Sequence, residues 1–306
     1  MRRIKFRKPY KLKNYRFGLV ALVLVLSIIG ILVVGSANES YQNKQIFGVV
    51  IGLVVMAIVS LIDYVWIANF YWILYGMSVF MLAIVLIPGI GVYVNGARRW
   101  INLGFTNFQP SELAKILLII FFAKFIMKHE EDLSEKQTIL KAVILIAIPL
   151  ALIFKEPNLS TTICTATLFC FLMYVGGLSY RFIGTVLLIT IPVAVIFLSI
   201  VVQPNQKLLD NYQQKRILAW LEPEKYASDE AYQQNNSVMA IGSGQLTGKG
   251  LNNNTTTSVK NGNFILEPQT DFIFAIVGEE LGFVGCCLII ALLLLIVIDC
   301  ILIGTH

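Results

Sequence analysis

Three acidic residues late in the chain are the strongest candidates for chemistry. Asp271 lies where a long polar segment meets a hydrophobic stretch, and Glu279 and Glu280 follow inside that stretch. In a helix, the two glutamates would lie about 12 Å further along the axis than Asp271. Ionisable groups are costly at membrane depth and usually mark functional positions there. Asp271 is therefore a candidate general base, with a helix N-cap as the equally weighted alternative.

A second set of charged residues lies between positions 98 and 115. Arg98 and Arg99 form a double cation that suits either lipid headgroups or a pyrophosphate, which the guanidinium fork binds well. Pro110 is placed to begin a helix, on which Glu112 and Lys115 would share a face and pair. Such a pair could merely neutralise two charges. We favour a polar patch at the outer mouth of a cavity, because ion pairs in a bilayer rarely lie far from water.

The segment Ala240–Gly250, AIGSGQLTGKG, is rich in glycine and resembles a phosphate-binding loop at first sight. Only three residues separate Gly244 from the Gly248-Lys249 pair, and glycine rather than serine or threonine follows the lysine. The spacing of a P-loop is therefore not met. The segment instead predicts a flexible or tightly turning loop.

The elements that must position these residues are hydrophobic helices. The chain of 306 residues is 57% hydrophobic and only 14% charged, and several apolar runs are long enough to cross a bilayer. The sequence predicts an all-α polytopic membrane protein. Its predicted spans are 17–37, 46–62, 70–90, 111–127, 140–154, 158–176, 182–202 and 272–303.

The distribution of charge predicts the orientation of these spans. The first 16 residues hold eight Lys and Arg and no acid, which indicates a cytoplasmic N-terminal tail rather than a nucleic-acid site. Alternating from there, the spans place the segment 203–271 outside as one long extracytoplasmic loop. We predict one integral membrane domain over 1–306, with the tail at 1–16.

Cysteine and histidine usage excludes several kinds of site. The five cysteines all lie in apolar runs and have no CxxC spacing, so we expect neither a disulfide framework nor a zinc site. Only His129 and His306 are present, and His306 is the last residue. Catalysis by histidine is therefore not expected.

Several motifs occur in an order that resembles the SEDS family, whose name stands for shape, elongation, division and sporulation. The resemblance covers nearly the whole chain, and the order of the motifs makes it specific. The motifs are GARRWI (96–101), FQPSELAK (108–115), EPNLST (156–161), AIGSGQLTGKG (240–250) and TDFIFAIVGEELGFVG (270–285).

The resemblance implies a peptidoglycan glycosyltransferase of the bacterial cytoplasmic membrane, with its active site on the extracytoplasmic side. Such proteins polymerise lipid II together with a class B penicillin-binding protein. The essential aspartate of the family falls on Asp271, and its cavity glutamate and lysine fall on Glu112 and Lys115. The resemblance also implies substrate-binding roles for the following residues: Arg98, Arg99 and Glu156.

Two departures from the family pattern stand out. The EP-x-L motif commonly carries aspartate where this chain has Asn158, which removes one negative charge. The family usually has ten spans, whereas eight are predicted here. The resemblance therefore leads us to expect a fragment, a truncated gene product or an inactive relative.

The implied mechanism uses Asp271 as the base that deprotonates the 4-hydroxyl of an acceptor GlcNAc, which attacks the donor MurNAc. Undecaprenyl pyrophosphate would leave, neutralised by Arg98, Arg99, Lys115 or a divalent cation such as Mg²⁺ or Mn²⁺. The alternatives are a lipid II flippase or transporter and a non-catalytic scaffold for a penicillin-binding protein. A flippase would need charges at both depths, for which Glu279, Glu280 and Lys124 are the deeper candidates. The short N-terminal tail mildly favours an elongation role over a division role.

Overall fold

Long apolar helices dominate the protein in the computed structural model. Of the chain, it describes residues 15–94, 97–102, 104, 107–203, 209, 211–222, 225, 230–253, 258, 262, 264–265 and 267–305. The predicted basic tail lies, up to residue 14, outside the described residues. Two compact units are formed, Met1–Ala57 with Lys215–His306 (unit 1) and Ile58–Gln214 (unit 2).

The helices and strands follow one another in a simple order, with one small sheet between the fourth and fifth helices. The elements are α1 Phe17–Ala37, α2 Glu39–Ser60, α3 Tyr64–Asn69, α4 Tyr71–Val85, β1 Gly91–Val94, β2 Ala97–Asn102, β3 Asn107–Phe108, α5 Pro110–Lys128, α6 Lys136–Lys155, α7 Leu159–Val175, α8 Tyr180–Val201, α9 Asn211–Leu221, α10 Glu230–Ser243 and α11 Ile273–Thr305.

Each of the eight predicted spans coincides with a helix. In the described ranges, five helices are long and apolar enough to cross a membrane, namely α1, α2, α6, α8 and α11, and the apolar helices α4 and α7 are shorter. Helix α5 carries four charged side chains over its 19 residues. The predicted polytopic helical membrane fold is confirmed.

Element boundaries differ from the predicted spans where local chemistry outweighs hydropathy. Helix α2 begins at Glu39, seven residues before the predicted span, because polar residues extend a helix as readily as apolar ones. Helix α4 ends at Val85 rather than near residue 90, because Pro88 and Gly89, with a φ of 95°, turn the chain. Within the predicted loop 203–271 the chain forms helices α9 and α10.

The polar segment 91–110 forms a three-stranded antiparallel sheet that the sequence analysis did not predict. Strand β1 pairs with β2, and β2 pairs with β3. Its β-branched and aromatic residues, such as Val92 and Trp100, favour strands. The register shifts between Val92, opposite Trp100, and Tyr93, opposite Arg98, so that Arg99 is the extra residue of a β-bulge.

Unit 2 is organised around four helices. Helix α5 packs against α4 and α7, and α6 packs against the same two helices, so that the four form a closed ring of neighbours. Aromatic side chains fill its interior. Phe121 is fully buried, with ring-centroid distances of 4.6 Å to Tyr75 and 5.0 Å to Phe122, whose own ring lies 4.9 Å from Phe169. This cluster fixes α5, which carries Glu112 and Lys115.

Unit 1 is organised around α11, against which α1 and α10 both pack. The buried cluster between α1 and α11 contains Val33, Ile276 and Val277. Between α10 and the start of α11, Ala240 and Ala275 are buried and Phe272 packs against them. Both faces of the first part of α11 are therefore covered by neighbouring helices.

We expect Phe121→Ala to destabilise the protein by about 3–5 kcal/mol, because it removes a fully buried ring from a close-packed cluster. Phe171→Ala on α7 is the control, since Phe171 is 62% exposed and the loss of its ring should cost less than about 1 kcal/mol. The measurement is reversible SDS unfolding of protein reconstituted in bicelles. Equal effects of the two substitutions would contradict the packing described above.

Candidate functional site

The turn between α6 and α7 buries a carboxyl group. Glu156, which follows α6 directly, is fully buried, and neither of its carboxylate oxygens has a hydrogen-bond partner among the described residues. Desolvation by burial raises the pKa of Glu156 to about 8, and the positive charge of Arg99 acts in the opposite direction. Near neutral pH, the protonated carboxyl group is therefore well populated.

Arg99 ties this turn to strand β2. Its Nε donates to the backbone oxygen of Glu156 at 3.2 Å, and its Nη2 donates to that of Pro157 at 2.6 Å. The guanidinium thus satisfies carbonyls that follow the end of α6 rather than pairing directly with the Glu156 carboxylate. The bulge at Arg99 re-aims the side chain out of the normal strand alternation.

Asn158 closes the same turn as the N-cap of α7. Its Oδ1 accepts a hydrogen bond from the backbone N–H of Thr161 at 3.3 Å, and its backbone oxygen accepts one from the Thr162 hydroxyl at 2.8 Å. Asparagine and aspartate cap helices about equally well because both present an acceptor oxygen. The chain therefore keeps the capping acceptor of the EP-x-L motif while lacking its charge.

Glu112 and Lys115 form the predicted ion pair on the first turns of α5. Lys115 Nζ lies 2.9 Å from Glu112 Oε2, and the two side chains are 20% and 57% exposed. Pro110 is the first helical residue, as predicted, and the neighbouring Ser111 is fully buried. The pair is accessible on the Glu112 side, so the structure allows a ligand to approach it.

Asp271 lies in unit 1, in the turn immediately before α11. Its side chain is exposed and makes no hydrogen bond or ion pair with the described residues. It does not cap the first turn of α11, which begins two residues later at Ile273. The adjacent Phe272 packs against the buried cluster of Ala240, Ile265 and Ala275, which anchors the backbone beside the exposed carboxylate.

Helix α11 is broken at Gly282, where the backbone has φ 68° and ψ −165°. A continuous helix would join the N–H groups of residues 283 and 284 to the carbonyls of residues 279 and 280. Instead, the loop of residues 244–250, here called the glycine loop, supplies a partner to each of these four groups. The bonds are Phe283 N–H to Gln245 O (2.9 Å), Val284 N–H to Leu246 O (3.1 Å), Lys249 N–H to Glu279 O (2.9 Å) and Gly250 N–H to Glu280 O (2.9 Å).

Glycine is required where the loop and the helix meet. A Cβ atom on Gly244 would lie 1.9 Å from the backbone oxygen of Gly278, and one on Gly248 would lie 2.2 Å from that of Glu280. A Cβ atom on Gly282 would lie 2.3 Å from the backbone nitrogen of Gly248. No side chain fits at these approaches, so the two backbones are in direct contact.

The two deeper glutamates take part in this contact through their side chains. Lys249 Nζ lies 2.8 Å from Oε1 of Glu279, which is 1% exposed, and the Ser258 hydroxyl donates to its other oxygen at 3.3 Å. The Ser36 hydroxyl on α1 donates to Glu280 Oε1 at 2.5 Å and accepts from the backbone N–H of Asn252 at 3.1 Å. The buried Glu279 carboxylate is thus compensated by a cation and by a hydroxyl group.

The sequence analysis identified both glutamates but missed Lys249 as the partner of Glu279. The signal lies in the glycines, because Gly244 and Gly248 are four residues apart, as are Gly278 and Gly282. Matching pairs of glycines predict two backbones in close approach. The predicted tight turning of this loop agrees with the structure, in which Gly248 has a φ of 79°.

The predicted site residues are divided between the two units. Asp271 belongs to unit 1, and the other five, Arg98, Arg99, Glu112, Lys115 and Glu156, belong to unit 2. Within unit 2, the structure brings Arg99 to the turn at Glu156 and joins Glu112 to Lys115. Within the described ranges, no three His, Cys, Asp or Glu side chains are grouped closely enough to hold a metal ion.

The FtsW/RodA/SpoVE family model, described as cell cycle protein, matches residues 11–306. The chain belongs to this family. The family predicted from the ordered motifs is therefore confirmed, and its helices make this family member a membrane protein.

Curated relatives align along most of the chain. The peptidoglycan glycosyltransferase MrdB of Escherichia coli K12 is 32% identical over 287 residues, which cover 91% of this chain and 73% of the relative. The probable peptidoglycan glycosyltransferase FtsW of Taylorella equigenitalis is 32% identical over 267 residues, which cover 86% of this chain and 69% of the relative.

Solved structures share the fold. A chain from a study of how a peptidoglycan synthase complex coordinates polymerization and crosslinking matches with a TM-score of 0.74 and 25% identity, over 94% of this chain and 77% of that chain. The crystal structure of the Thermus thermophilus rod shape determining protein RodA matches with a TM-score of 0.61 and 23% identity, over 94% of this chain and 74% of that one.

We expect the stability of this family member to depend on pH through Glu156. Its pKa of about 8 exceeds the ordinary value of 4.5, so between these values the folded protein retains a proton that the unfolded chain releases. Stability therefore falls as pH rises through that window. The Glu156→Gln variant has no titrating group at this position. Its melting temperature in detergent, relative to that of the wild type, should therefore rise as pH increases from about 5 to about 8. A difference that is independent of pH would contradict this assignment.

We expect Asn158→Ala to destabilise the protein by about 1 kcal/mol, because it removes the acceptor that caps α7. Asn158→Asp is the matched control, since it keeps an acceptor oxygen at the same position. Thermal unfolding of the two variants side by side provides the measurement. If the alanine variant were as stable as the aspartate variant, the cap would contribute nothing.

Proposed function

We propose that this protein polymerises lipid II into glycan strands, as a peptidoglycan glycosyltransferase of bacterial cell wall synthesis. The observation that carries the proposal is its similarity, over most of its length, to relatives that are named peptidoglycan glycosyltransferases. The exposed carboxylate of Asp271, at the start of a broken helix, supplies a group suited to the reaction.

In the proposed reaction, Asp271 acts as the general base. The 4-hydroxyl oxygen of an acceptor GlcNAc attacks the anomeric carbon of the donor MurNAc while its proton passes to the Asp271 carboxylate. The bond from that carbon to the diphosphate breaks, and the electron pair leaves with undecaprenyl diphosphate. A single displacement inverts the anomeric centre and needs one base. The exposed Asp271 carboxylate has no competing partner among the described side chains, which supports this role.

The diphosphate leaving group needs neutralisation of charge more than it needs a proton. We propose that Arg98, Arg99 or Lys115 performs this task, while Arg99 also supports the turn at Glu156 by donating to two backbone carbonyls. Glu112 orients Lys115 through their ion pair. A divalent cation such as Mg²⁺ or Mn²⁺ stays a prediction, and no step above depends on one.

A class B penicillin-binding protein is the partner that we propose. One solved structural neighbour comes from a peptidoglycan synthase complex that both polymerises and crosslinks. A transpeptidase would supply the second of these activities. The proposed topology places the N-terminus in the cytoplasm and Asp271 on the extracytoplasmic side of the bacterial inner membrane.

A lipid II flippase receives less support from the side chains at greater depth. That alternative relied on Glu279, Glu280 and Lys124 as charges along a pathway. Glu279 pairs with Lys249, and Glu280 accepts a hydrogen bond from Ser36, so both acids are engaged in holding the fold of unit 1. The proposed glycosyltransferase reaction does not require Glu279 or Glu280 to contact the substrate.

We expect Asp271→Asn to lower polymerisation of labelled lipid II by about 10²–10⁴-fold, since asparagine cannot accept the proton. The assay uses the purified 306-residue protein with its cognate penicillin-binding protein, and Glu267→Gln serves as a control for an exposed acid in the same turn region. Unchanged polymerisation by Asp271→Asn would exclude the proposed base. If the wild-type protein also gave no polymer but still bound its partner, the scaffold alternative would be favoured.

A further inference from the structure

The first part of α11, residues 273–281, is a short helix between Asp271 and the break at Gly282. It has about two and a half turns, which is too short to be stable alone. Its conformation must therefore come from its surroundings. The position of the Asp271 carboxylate, two residues before this helix, depends on those same surroundings.

We propose that the glycine loop and the Lys249–Glu279 ion pair position Asp271 by fixing this short helix. The proposal rests on the function proposed above, because it assigns a role in that reaction to residues outside the reacting groups. Lys249 and Glu279 are positioning residues in this scheme, and they do not touch the substrate.

The short helix is held at both ends and along one side. At its N-terminal end, Phe272 packs against the buried cluster formed by Ala240, Ile265 and Ala275. Along its side, Gly278 lies so close to Ile241 that a Cβ atom on Gly278 would be 2.9 Å from the Cα atom of Ile241. At its inner end, the carbonyls of Glu279 and Glu280 accept hydrogen bonds from the glycine loop.

The ion pair adds a constraint that the backbone bonds alone do not provide. Glu279 is 1% exposed and Lys249 is 25% exposed, so a movement that separated them would leave a buried carboxylate without its cation. Lys249 contributes twice, because its backbone N–H and its ammonium group both bind Glu279. One residue of the loop thus fixes both the axial position and the side-chain orientation of the helix end.

The hydrogen bonds of Ser36 extend this constraint to α1. Its hydroxyl joins Glu280 on α11 to the backbone of Asn252, just beyond the glycine loop. Helix, loop and α1 therefore converge on the two consecutive glutamates. A shift of the short helix along its axis would break contacts with all three.

Two glycines near the end of α10 allow a matched test. In Gly244→Ala, the added Cβ atom would meet the backbone of Gly278, which cannot move aside without displacing the helix. In Gly242→Ala, two residues earlier on α10, the Cβ atom meets nothing within 4 Å. Both substitutions add the same methyl group. They differ only in whether that group would collide with α11.

We expect Gly244→Ala to lower kcat for lipid II polymerisation about 100-fold while KM changes less than about twofold, because a displaced base affects the reaction step more than ground-state binding. Gly242→Ala should retain the wild-type values. The assay uses the full chain with its cognate penicillin-binding protein. A parallel fall in kcat and rise in KM, or full activity of Gly244→Ala, would overturn the proposal.

Amide hydrogen exchange over residues 273–281 tests the same idea without relying on turnover. Exchange there should accelerate in Gly244→Ala and not in Gly242→Ala. Unchanged exchange in Gly244→Ala would overturn the positioning role whatever the activity. If the wild-type protein polymerised nothing while exchange responded as expected, the proposed function would fail and the ordering of the helix by the loop would stand.

Reversal of the ion pair guards against a variant that simply fails to fold. Lys249→Glu and Glu279→Lys should each lower kcat at least tenfold, since each places two like charges together. The double variant restores an ion pair and should recover most of the loss. If the double variant were no better than the worse single variant, with exchange over 273–281 at the wild-type rate, the pair would have no positioning role.

Discussion

Backbone N–H and C=O groups in apolar surroundings need hydrogen-bond partners, and the break at Gly282 creates this need inside the 33-residue helix α11. Two helical hydrogen bonds are lost at Gly282, which frees four groups. The glycine loop supplies all four partners, and it can do so only because glycines let the two backbones touch. These four hydrogen bonds fix the direction of the short helix 273–281, and with it the position of Asp271.

At the turn at Glu156 in unit 2, backbone groups also need hydrogen-bond partners, and here side chains rather than a second backbone supply them. Arg99 donates to the carbonyls of Glu156 and Pro157, and Asn158 accepts from the first turn of α7. The Glu156 carboxyl group is left out of this arrangement and is fully buried. Because no hydrogen bond from the described residues stabilises its charged form, burial is the main influence on the pKa of this carboxyl group, and it raises that pKa.

The sequence predicted what depends on local chemistry. Each of the eight spans corresponds to a helix, and the Glu112–Lys115 pair, three residues apart, formed as expected. Contacts between distant residues were not predictable in this way. Arg99 and Glu156 are 57 residues apart, and Lys249 and Glu279 are 30 apart, so no local periodicity links them. The small sheet escaped prediction because its strands are short and lie in a polar segment between two spans.

The hydrogen bond between Ser36 and Glu280 joins α1 to α11 across 244 residues, and this has a consequence for biogenesis. At a synthesis rate of about 5–20 residues per second, α1 waits about 12–50 s in the membrane before its partner emerges from the ribosome. Its apolar surface is satisfied by lipid during that interval. The acids of α11 enter a bilayer in which Lys249 and Ser36 have already been made. The order of the chain thus delivers the cation and the hydrogen-bond donor before the carboxylates that need them.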